Sequence, residues 1–414
     1  MPRRGRCSIP SAMTMPTSWQ RRTTGRPARS SGPRRSRCMP GAASSGRSAG
    51  TLPRRPPPGS ASRPGASASD RPDTRSLEMS MRRVLFICAT PVAFGLDTPP
   101  EIGLGGIEST NIALSRALAR RGWAVTLATR RSGTVERDGV RNIPLGEAAG
   151  CEADAVVTSN DPRPLRAHPG RRGIVWVHNP LNVEKSVRKG YLLPFLSLRP
   201  EAVFVGTLAA RIMSPLYPFR RRHVVPHGVS PVFLTPEPTR GRSRDFVYAS
   251  QPQRGLDRML RLWRGAAPLI ASGAKLHVFG SEQPDSPDDR GPVVFHPRRG
   301  AAALAAFYGT ARAMVCPGSP DETFCLAAAE AQAMGLPVVT AGIGALAERV
   351  QHGVNGWIAG TDAAFAEAIV SLATQDDLWS ELSAGALLQR RALTWERAAI
   401  LWEAILRGPS REGA

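Results

Sequence analysis

The sequence has few lysines and no closely spaced pair of cysteines. Only three of its 55 basic residues are lysines, at positions 185, 189 and 275, so arginine carries almost all of the formal charge of +22. The six cysteines are scattered, and none forms a C-x-x-C pair. This spacing argues against a structural zinc site and against a disulfide framework. We therefore expect a reducing, cytoplasmic setting.

Long apolar runs are also missing. No stretch approaches the roughly 20 consecutive apolar residues that a transmembrane helix needs. The 414 residues are enough for two ordinary α/β domains with large cores. Any contact with a membrane is therefore expected to be peripheral.

The first 80 residues show no hydrophobic periodicity and hold little negative charge. They hold 16 arginines against three acids, a net charge of +13, which leaves +9 for the other 334 residues. Such a segment cannot bury enough apolar surface to offset the entropy of ordering, so we predict a disordered extension over 1–80. A nucleic-acid-binding arm, a transit peptide and a secretory pre-sequence are open alternatives. We favour a start codon assigned too far upstream, because Met79 and Met81 immediately precede the first strand, and we expect no nucleic-acid partner.

The pattern changes abruptly after Arg82. Val84–Cys88 is typical of a buried strand, and a glycine-rich loop and a helix over about 109–121 follow it. Ala124–Ala128 then predicts a second strand, which completes a unit of a parallel sheet. Further apolar runs at 155–158, 174–177 and 203–205 extend this first domain over residues 81–230.

A second α/β series follows a proline-rich stretch near 229–244. It begins at Phe246 and predicts a domain over 245–376, with helices near 256–272, 301–311 and 324–334. A helical segment over 377–407 ends the chain. The predicted fold is therefore α/β, with two Rossmann-like, doubly wound domains facing a cleft, where ligands bind outside the carboxyl ends of the strands.

The most informative segment is Asp321–Thr340. Two glutamates, Glu322 and Glu330, stand eight positions apart around the start of an alanine-rich helix that Gly335 and Pro337 end. A helix N-terminus offers unpaired N–H groups and partial positive charge to an anion. Carboxylates beside it suit a ligand that has phosphates and hydroxyls. A nucleotide-sugar fits that description.

This segment resembles the donor-binding region of glycosyltransferase family 4-like enzymes, the retaining group with the GT-B fold. The family pattern is a Glu, seven residues and a second Glu. The matching positions here are Glu322, Phe324, Leu326, Glu330, Ala331, Ala333, Gly335, Pro337, Val338 and Val339. The resemblance implies transfer of a sugar from a nucleotide-sugar to an acceptor hydroxyl on a glycan, glycolipid or small molecule. It implies no cofactor and no obligatory metal ion.

The resemblance also implies roles for individual residues. Glu330 would bind the ribose hydroxyls, and Glu322 would contact the donor sugar and stabilise an oxocarbenium-like transition state. Thr323 and the backbone N–H groups of residues 324–326, Phe324, Cys325 and Leu326, would face the sugar and the diphosphate. Cys325 would then contribute its backbone and would not act as a nucleophile.

Further implied residues lie outside this segment. Gly105 and Gly106 resemble the family's glycine-rich loop after the first strand. Arg254 occupies the place of a cation that neutralises the diphosphate, and His178 ends a strand beside the sugar site. The family often carries an earlier arginine where this chain has Ala249, so a second cation is missing or comes from elsewhere. His227, which precedes a glycine, is assigned to a hinge or turn.

Other interpretations stay open at this point. A catalytically silent nucleotide-sugar-binding protein of the same fold is the alternative function, because of Ala249. The acids at 285, 288 and 289 are interpreted as a solvated loop and not as a metal site. Lipid-linked acceptors are frequent in the family, and the basic clusters at 185–189 and 220–222 leave peripheral membrane contact open, although solvated basic faces explain them as well.

Overall fold

The computed structural model describes residues 82–235, 243–270, 273–281 and 292–408. The extension predicted over 1–80 and the acids at 285, 288 and 289 lie outside the described residues. Within the described ranges, no helix is long and apolar enough to cross a lipid bilayer.

The first lobe is built on an eight-stranded sheet in the order β3-β4-β2-β1-β5-β6-β7-β8. Its strands are β1 (Arg83–Cys88), β2 (Ala124–Thr129), β3 (Val135–Arg137), β4 (Val140–Pro144), β5 (Ala155–Ser159), β6 (Arg172–Val177), β7 (Glu201–Phe204) and β8 (Arg222–Val224). All neighbours pair in parallel except β3 and β4. The central strands are apolar because helices cover both faces of a parallel sheet.

The first-lobe helices are α1 (Gly106–Ala119), α2 (Val183–Arg188), α3 (Leu192–Leu198) and α4 (Thr207–Ile212). Helix α1 begins at Gly106, three residues before the predicted start. Its buried side chains include Ile112, Leu114 and Leu118, which follow the helical spacing that the sequence showed. The earlier start places the glycine pair at the helix N-terminus itself.

The second lobe contains a six-stranded parallel sheet in the order β11-β10-β9-β12-β13-β14. Its strands are β9 (Phe246–Tyr248), β10 (Leu276–Phe279), β11 (Val293–His296), β12 (Ala313–Val315), β13 (Val338–Thr340) and β14 (Gly356–Ile358). This is the doubly wound order, with its switch point between β9 and β12. The two α/β lobes expected from the sequence are therefore confirmed.

The second-lobe helices are α5 (Leu256–Ala266), α6 (Ala301–Thr310), α7 (Leu326–Ala333), α8 (Leu346–Arg349), α9 (Asp362–Thr374), α10 (Asp376–Leu388) and α11 (Trp395–Arg407). The helical segment predicted over 377–407 consists of two helices, α10 and α11, with a short 3-10 turn at Gln389–Ala392 between them. Thr394 caps α11 by accepting a hydrogen bond from the Arg397 N–H. This cap provides a new helix start where continuous apolar spacing suggested one long segment.

Helix α11 returns to the first lobe and packs on α1. The indole of Trp402 is fully buried and contacts Phe86 of the central strand at 6.1 Å between ring centroids. Glu403 accepts hydrogen bonds from Arg121 Nε at 3.0 Å and from Trp123 Nε1 at 3.1 Å. The end of the chain thereby ties the second lobe to the first.

Candidate active site

A cavity of about 940 Å³ opens between the carboxyl ends of the two sheets. Loops after β1, β6, β9 and β12 reach it, as expected for ligand sites at the switch points of doubly wound sheets. All ten predicted site residues line it, namely Gly105, Gly106, His178, Arg254, Glu322, Thr323, Phe324, Cys325, Leu326 and Glu330. The sequence-based selection therefore converges on one place, although the roles assigned to these residues stay predictions.

The turn before α7 has an unusual backbone. Cys325, the N-cap of α7, has φ of 57°, in the left-handed region that non-glycine residues rarely adopt. Strain of this kind persists where the surroundings fix it, and it is concentrated at functional sites. The Cys325 N–H donates to Glu322 Oε1 at 2.9 Å. One of the N–H groups predicted to face the donor is therefore used to hold Glu322.

Glu322 and Arg254 form an ion pair inside the cleft. Both side chains are largely buried, with 7% and 21% exposed. Burial of the guanidinium disfavours its charged form, but the Glu322 carboxylate outweighs this and raises the pKa of Arg254 above its usual value. Glu322, predicted to contact the donor sugar, and Arg254, predicted to neutralise the diphosphate, are thus in direct contact in this structure. Together they carry no net charge.

Glu330 is a carboxylate in a different situation. It lies within α7, opens partly to the cleft, and makes no side-chain hydrogen bond to any of the described residues. Burial raises its pKa to about 8. Ionisation of a mostly enclosed carboxyl is unfavourable when no described neighbour donates a hydrogen bond to it. Such a carboxyl is well suited to accept hydrogen bonds from a ligand hydroxyl.

Stacked aromatic and imidazole rings form part of the opposite wall. His178 follows β6, and its ring lies 5.3 Å from the ring of His227, centroid to centroid. His227 also contacts Phe324 of the second lobe at 4.8 Å. Burial lowers the pKa of both imidazoles, to about 3 for His178. These histidines are therefore neutral at physiological pH. The sequence assigned His227 to a hinge or turn; in the structure its ring also lines the cleft wall.

Gly105 and Gly106 have different local requirements. A Cβ on Gly105 would lie 2.3 Å from Glu108 Oε2, whereas a Cβ on Gly106 would meet nothing within 4 Å. Gly105 therefore makes room for the buried Glu108 of the same helix turn. Only Gly106 leaves open space that a ligand could use.

Direct contacts cross the cleft near these residues. Thr323 Oγ1 donates to the His178 carbonyl oxygen at 2.6 Å. A second crossing lies beside the predicted hinge, where the Val229 N–H donates to the Leu393 carbonyl at 2.9 Å. These bonds fix the distance between the predicted donor segment and the imidazole wall.

Ala249 lines the cavity and brings no charge, as the sequence indicated. Arg298, which sequence reasoning missed, lines the same cavity and also a smaller adjoining one that Arg254 and Gly280 share. A Cβ on Gly103 would lie 2.3 Å from Arg298 Cγ, so the arginine stem rests on the first-lobe backbone. The sequence feature that could have identified Arg298 is its place in a pair of adjacent arginines, at 298 and 299, after a strand.

The described part of the chain contains no cluster of three or more His, Cys, Asp or Glu side chains that could hold a metal ion. Its four described cysteines are free. The Cys316 side chain and burial hold the pKa of the Cys325 thiol well above its usual value, which does not suit a nucleophile.

The second lobe is similar to known proteins. Residues 244–375 match the model of glycosyl transferases group 1. A D-inositol 3-phosphate glycosyltransferase of Nocardioides is 38% identical over 28% of this chain and 26% of its own length. Another of that name, from Xylanimonas cellulosilytica, is 27% identical over 73% of this chain and 92% of its own length.

A solved structure has the same fold. The Anabaena HepE protein in complex with UDP-glucose superposes with a TM-score of 0.59, at 14% identity, over 78% of this chain and 99% of that one. This likeness shows the fold. The match to the Nocardioides relative spans about a quarter of that protein's length, whereas the Xylanimonas match spans nearly all of that relative. Residues 244–375 of the second lobe thus match the glycosyl transferases group 1 model, and the two-lobed fold of the chain is the GT-B architecture.

Proposed function

We propose that the protein is a retaining glycosyltransferase that moves a sugar from a nucleotide-sugar to an acceptor hydroxyl. The observation that carries this proposal is the arrangement at the start of α7. There an ion-paired Glu322 opens into the same cleft as Glu330, which has no partner among the described residues. A nucleotide-sugar has hydroxyls at both ends and a diphosphate between them, which matches two carboxylates that flank a helix N-terminus and cations.

In this proposal Arg254 exchanges partners when the donor binds. The diphosphate attracts the guanidinium away from Glu322, and Glu322 keeps its bond to the Cys325 N–H. The carboxylate is then free to accept hydrogen bonds from the donor sugar. Its negative charge lies where positive charge develops on the sugar ring, so it stabilises the transition state more than the ground state.

The reaction breaks the bond between the anomeric carbon and the diphosphate oxygen. The acceptor hydroxyl attacks from the face that the diphosphate leaves, and its proton passes to the departing diphosphate. Neutral His178 contributes a hydrogen-bonding ring and not a charge. The Thr323–His178 bond joins the two lobes beside the sugar site, and closure of the lobes over the donor would exclude water.

Arg298 supplies the second positive charge that position 249 lacks. It is exposed, lines the cavity beside Arg254, and forms no ion pair with any described residue. Since Arg254 is offset by Glu322 before the donor binds, Arg298 provides a cation that attracts the diphosphate. Its planar guanidinium suits bidentate binding of phosphate oxygens.

Calorimetry of the full chain with nucleoside diphosphates and monophosphates tests the proposal, together with a nucleotide-release assay on a panel of nucleotide-sugars that includes UDP-glucose. D-inositol 3-phosphate belongs in the acceptor panel because of the relatives named above. We expect Arg298→Ala to weaken diphosphate binding about tenfold, as for one lost charge-assisted hydrogen bond, with monophosphate binding little changed.

Arg299→Ala is the matched control. Arg299 is adjacent and exposed, and it lines the large cavity but not the smaller one that Arg254 and Arg298 share. If no nucleotide of the panel binds, the proposal is wrong. If nucleotide-sugars bind but no sugar is transferred to any acceptor or to water, the protein is a silent binding protein.

A further inference from the structure

The first lobe carries an outward surface that is both apolar and basic. Twelve large apolar side chains are exposed among the described residues, and five of them, 47–77% exposed, lie between positions 187 and 216: Val187, Leu193, Leu196, Ile212 and Leu216. Six exposed cations between positions 185 and 221 form no ion pair with a described residue: Lys185, Arg188, Lys189, Arg199, Arg220 and Arg221. We call these eleven residues the basic apolar surface. Arg211 is left out because it pairs with Glu348 at 3.2 Å.

The elements that carry this surface pack on one another. The Tyr217 ring contacts Phe195 of α3 at 5.0 Å, and the Tyr217 hydroxyl bonds Ser186 of α2. The Arg220 N–H donates to the Pro200 carbonyl at 3.1 Å, next to the end of α3. The buried sides of α2, α3 and the 213–220 loop thus share one core, and their exposed side chains lie on neighbouring elements.

Helix α3 shows the pattern most clearly. Pro194 and Phe195 point into the lobe, whereas Leu193 and Leu196, three positions apart, point outward. Packing within the lobe does not explain why leucines are exposed on a helix whose opposite face is already covered. Apolar side chains interleaved with arginine and lysine are typical of helices that lie in the interface of an anionic bilayer.

Negative charge is scarce on this surface. The acids between positions 182 and 221 are Glu184 and Glu201. Glu201 is buried and accepts hydrogen bonds from Arg172 Nε at 2.8 Å, so it neutralises none of the exposed cations. Six exposed cations therefore face one exposed acid, which favours an anionic partner.

The basic apolar surface adjoins the cleft. Lys185, Lys189 and Ile212 line a cavity of about 220 Å³ whose other side includes Arg254 and Thr323 of the predicted donor site. A bilayer in contact with this surface would bring a lipid headgroup to the mouth of the cleft without a large movement of either lobe.

We propose that the basic apolar surface docks on an anionic lipid bilayer and presents a membrane-anchored acceptor to the cleft. Docking itself does not depend on the donor chemistry, but delivery of an acceptor rests on the proposed function. The six cations bind lipid phosphates, and the leucines of α3 and the 213–220 loop enter the acyl boundary.

The test is sedimentation of the full chain with vesicles of phosphatidylcholine and phosphatidylglycerol, and with phosphatidylcholine alone. Residues 1–80 hold 16 arginines, which bind anionic vesicles as well. Charge-neutral changes in the leucines separate the two contributions. We expect Leu193→Ser with Leu196→Ser to lower binding to the anionic vesicles at least tenfold, and most clearly at about 0.5 M salt, where electrostatic attraction is screened.

Leu388→Ser with Leu401→Ser is the matched control. These leucines are 75% and 42% exposed on α10 and α11, close to the values of 70% and 47% in α3. The control is expected to bind vesicles like the unchanged protein. Arg188→Glu with Arg220→Glu should weaken binding to anionic vesicles at low salt and leave weak binding to phosphatidylcholine unchanged.

Equal vesicle binding by the α3 variant and its control would overturn the proposal. So would light scattering that shows a dimer which the α3 changes convert to a monomer, because a second copy would then cover the surface. Nucleoside diphosphate binding is measured on every variant. Its retention shows that the variants are folded, and its absence from all of them, the unchanged protein included, would count against the proposed function and not against the surface.

Discussion

The two walls of the cleft differ in their chemistry. The second-lobe wall holds charges, with Arg254 and Glu322 paired and Glu330 without a partner among the described residues. Opposite the predicted donor segment, the first-lobe wall presents two neutral imidazoles, His178 and His227, and the glycine backbone at the start of α1. Three first-lobe arginines, at 116, 120 and 137, also line the cavity. The second-lobe wall therefore suits the charged and hydroxyl-rich donor, and the imidazole part of the first-lobe wall suits uncharged groups that need shape and single hydrogen bonds.

This contrast predicts different roles for the two walls. Charged groups act strongly at short range in a dry cleft, so the second wall should determine rate. Neutral rings contribute about the free energy of one hydrogen bond each, so the first wall should position the sugar with smaller effects on rate. Substitutions at four residues test this division: three by their effect on rate, in decreasing order, and the fourth by the pH dependence of nucleotide affinity.

The largest effect is expected from Glu322→Gln. The change keeps the size of the side chain, removes the charge that stabilises the transition state, and leaves the buried Arg254 without its counter-ion. We expect kcat/KM for sugar transfer to fall roughly 100- to 1000-fold, the range seen when one stabilising group is removed from an active site. Nucleoside diphosphate binding should persist, because Arg254 is released for the phosphates.

Asp321→Asn is the control for Glu322→Gln, since Asp321 is the adjacent acid and is exposed. Its kcat/KM should stay close to that of the unchanged enzyme. If the Glu322→Gln enzyme is as active as the unchanged protein, the catalytic role assigned to Glu322 is wrong. The expected difference in rate effects between the two walls is then wrong as well.

A smaller effect is expected at the neutral wall. His178→Ala removes one hydrogen-bonding ring, and we expect kcat/KM to fall about tenfold. Because burial lowers the pKa of His178 from 6.5 to about 3, activity should show no inflection near pH 6.5 that His178→Ala abolishes. A steep loss of activity below pH 6.5 that depends on His178 would show that this imidazole acts as a charged acid or base.

His227→Asn tests whether His227 acts through its ring contacts in the cleft wall or only through the turn before Gly228. Asparagine tolerates the turn before Gly228 but cannot contact the His178 and Phe324 rings as the imidazole does. We expect a loss in kcat/KM of a few-fold, smaller than that of His178→Ala. Unchanged kinetics would reduce His227 to the hinge role that the sequence suggested.

The same contrast explains what the sequence could and could not predict. Glu322, Arg254 and Glu330 follow from one local motif and one glycine-containing turn, so the charged wall can be predicted from the order of residues. The neutral wall joins loops that are far apart in the chain, from Gly106 to Trp395. Gly106 and His178 were predicted from the family resemblance, but no local pattern records that the His227 ring meets them. Arg298 was missed for the same reason, since it follows strand β11, which the sequence analysis did not predict.

Part of the fold was missed although its signal is local. Strands β3 and β4 form a hairpin whose turn is Asp138-Gly139, and both residues have positive φ, 55° and 73°. Asp-Gly between short alternating runs predicts this turn type. The strands are short and largely polar, so apolar runs alone did not reveal them. The buried central strands have strong apolar runs and were predicted.

The remaining effect concerns Glu330; it acts on nucleotide affinity and depends on pH. Burial raises the pKa of this carboxyl to about 8, so the free protein carries it mostly protonated at pH 7. Ribose hydroxyls that donate to it favour the ionised form, so nucleotide binding should release a proton. Affinity should then rise with pH, by up to about tenfold between pH 7 and 9 if the bound carboxyl is fully ionised. Glu330→Gln should bind nucleotide with little dependence on pH in this range.

Calorimetry in buffers of different ionisation enthalpy measures the released proton directly, with Glu330→Gln as the reference protein. Stability gives an independent check of the same pKa. Because the native state holds this proton up to about pH 8 and the unfolded chain loses it near the ordinary value of 4.5, the unfolded state binds fewer protons between these limits. The free energy of unfolding must then fall as pH rises across this window, and the fall should be smaller in Glu330→Gln. Equal slopes in the two proteins, with no proton released on binding, would mean that Glu330 is already ionised in the free protein and that the charged wall carries one more negative charge than the structure indicates.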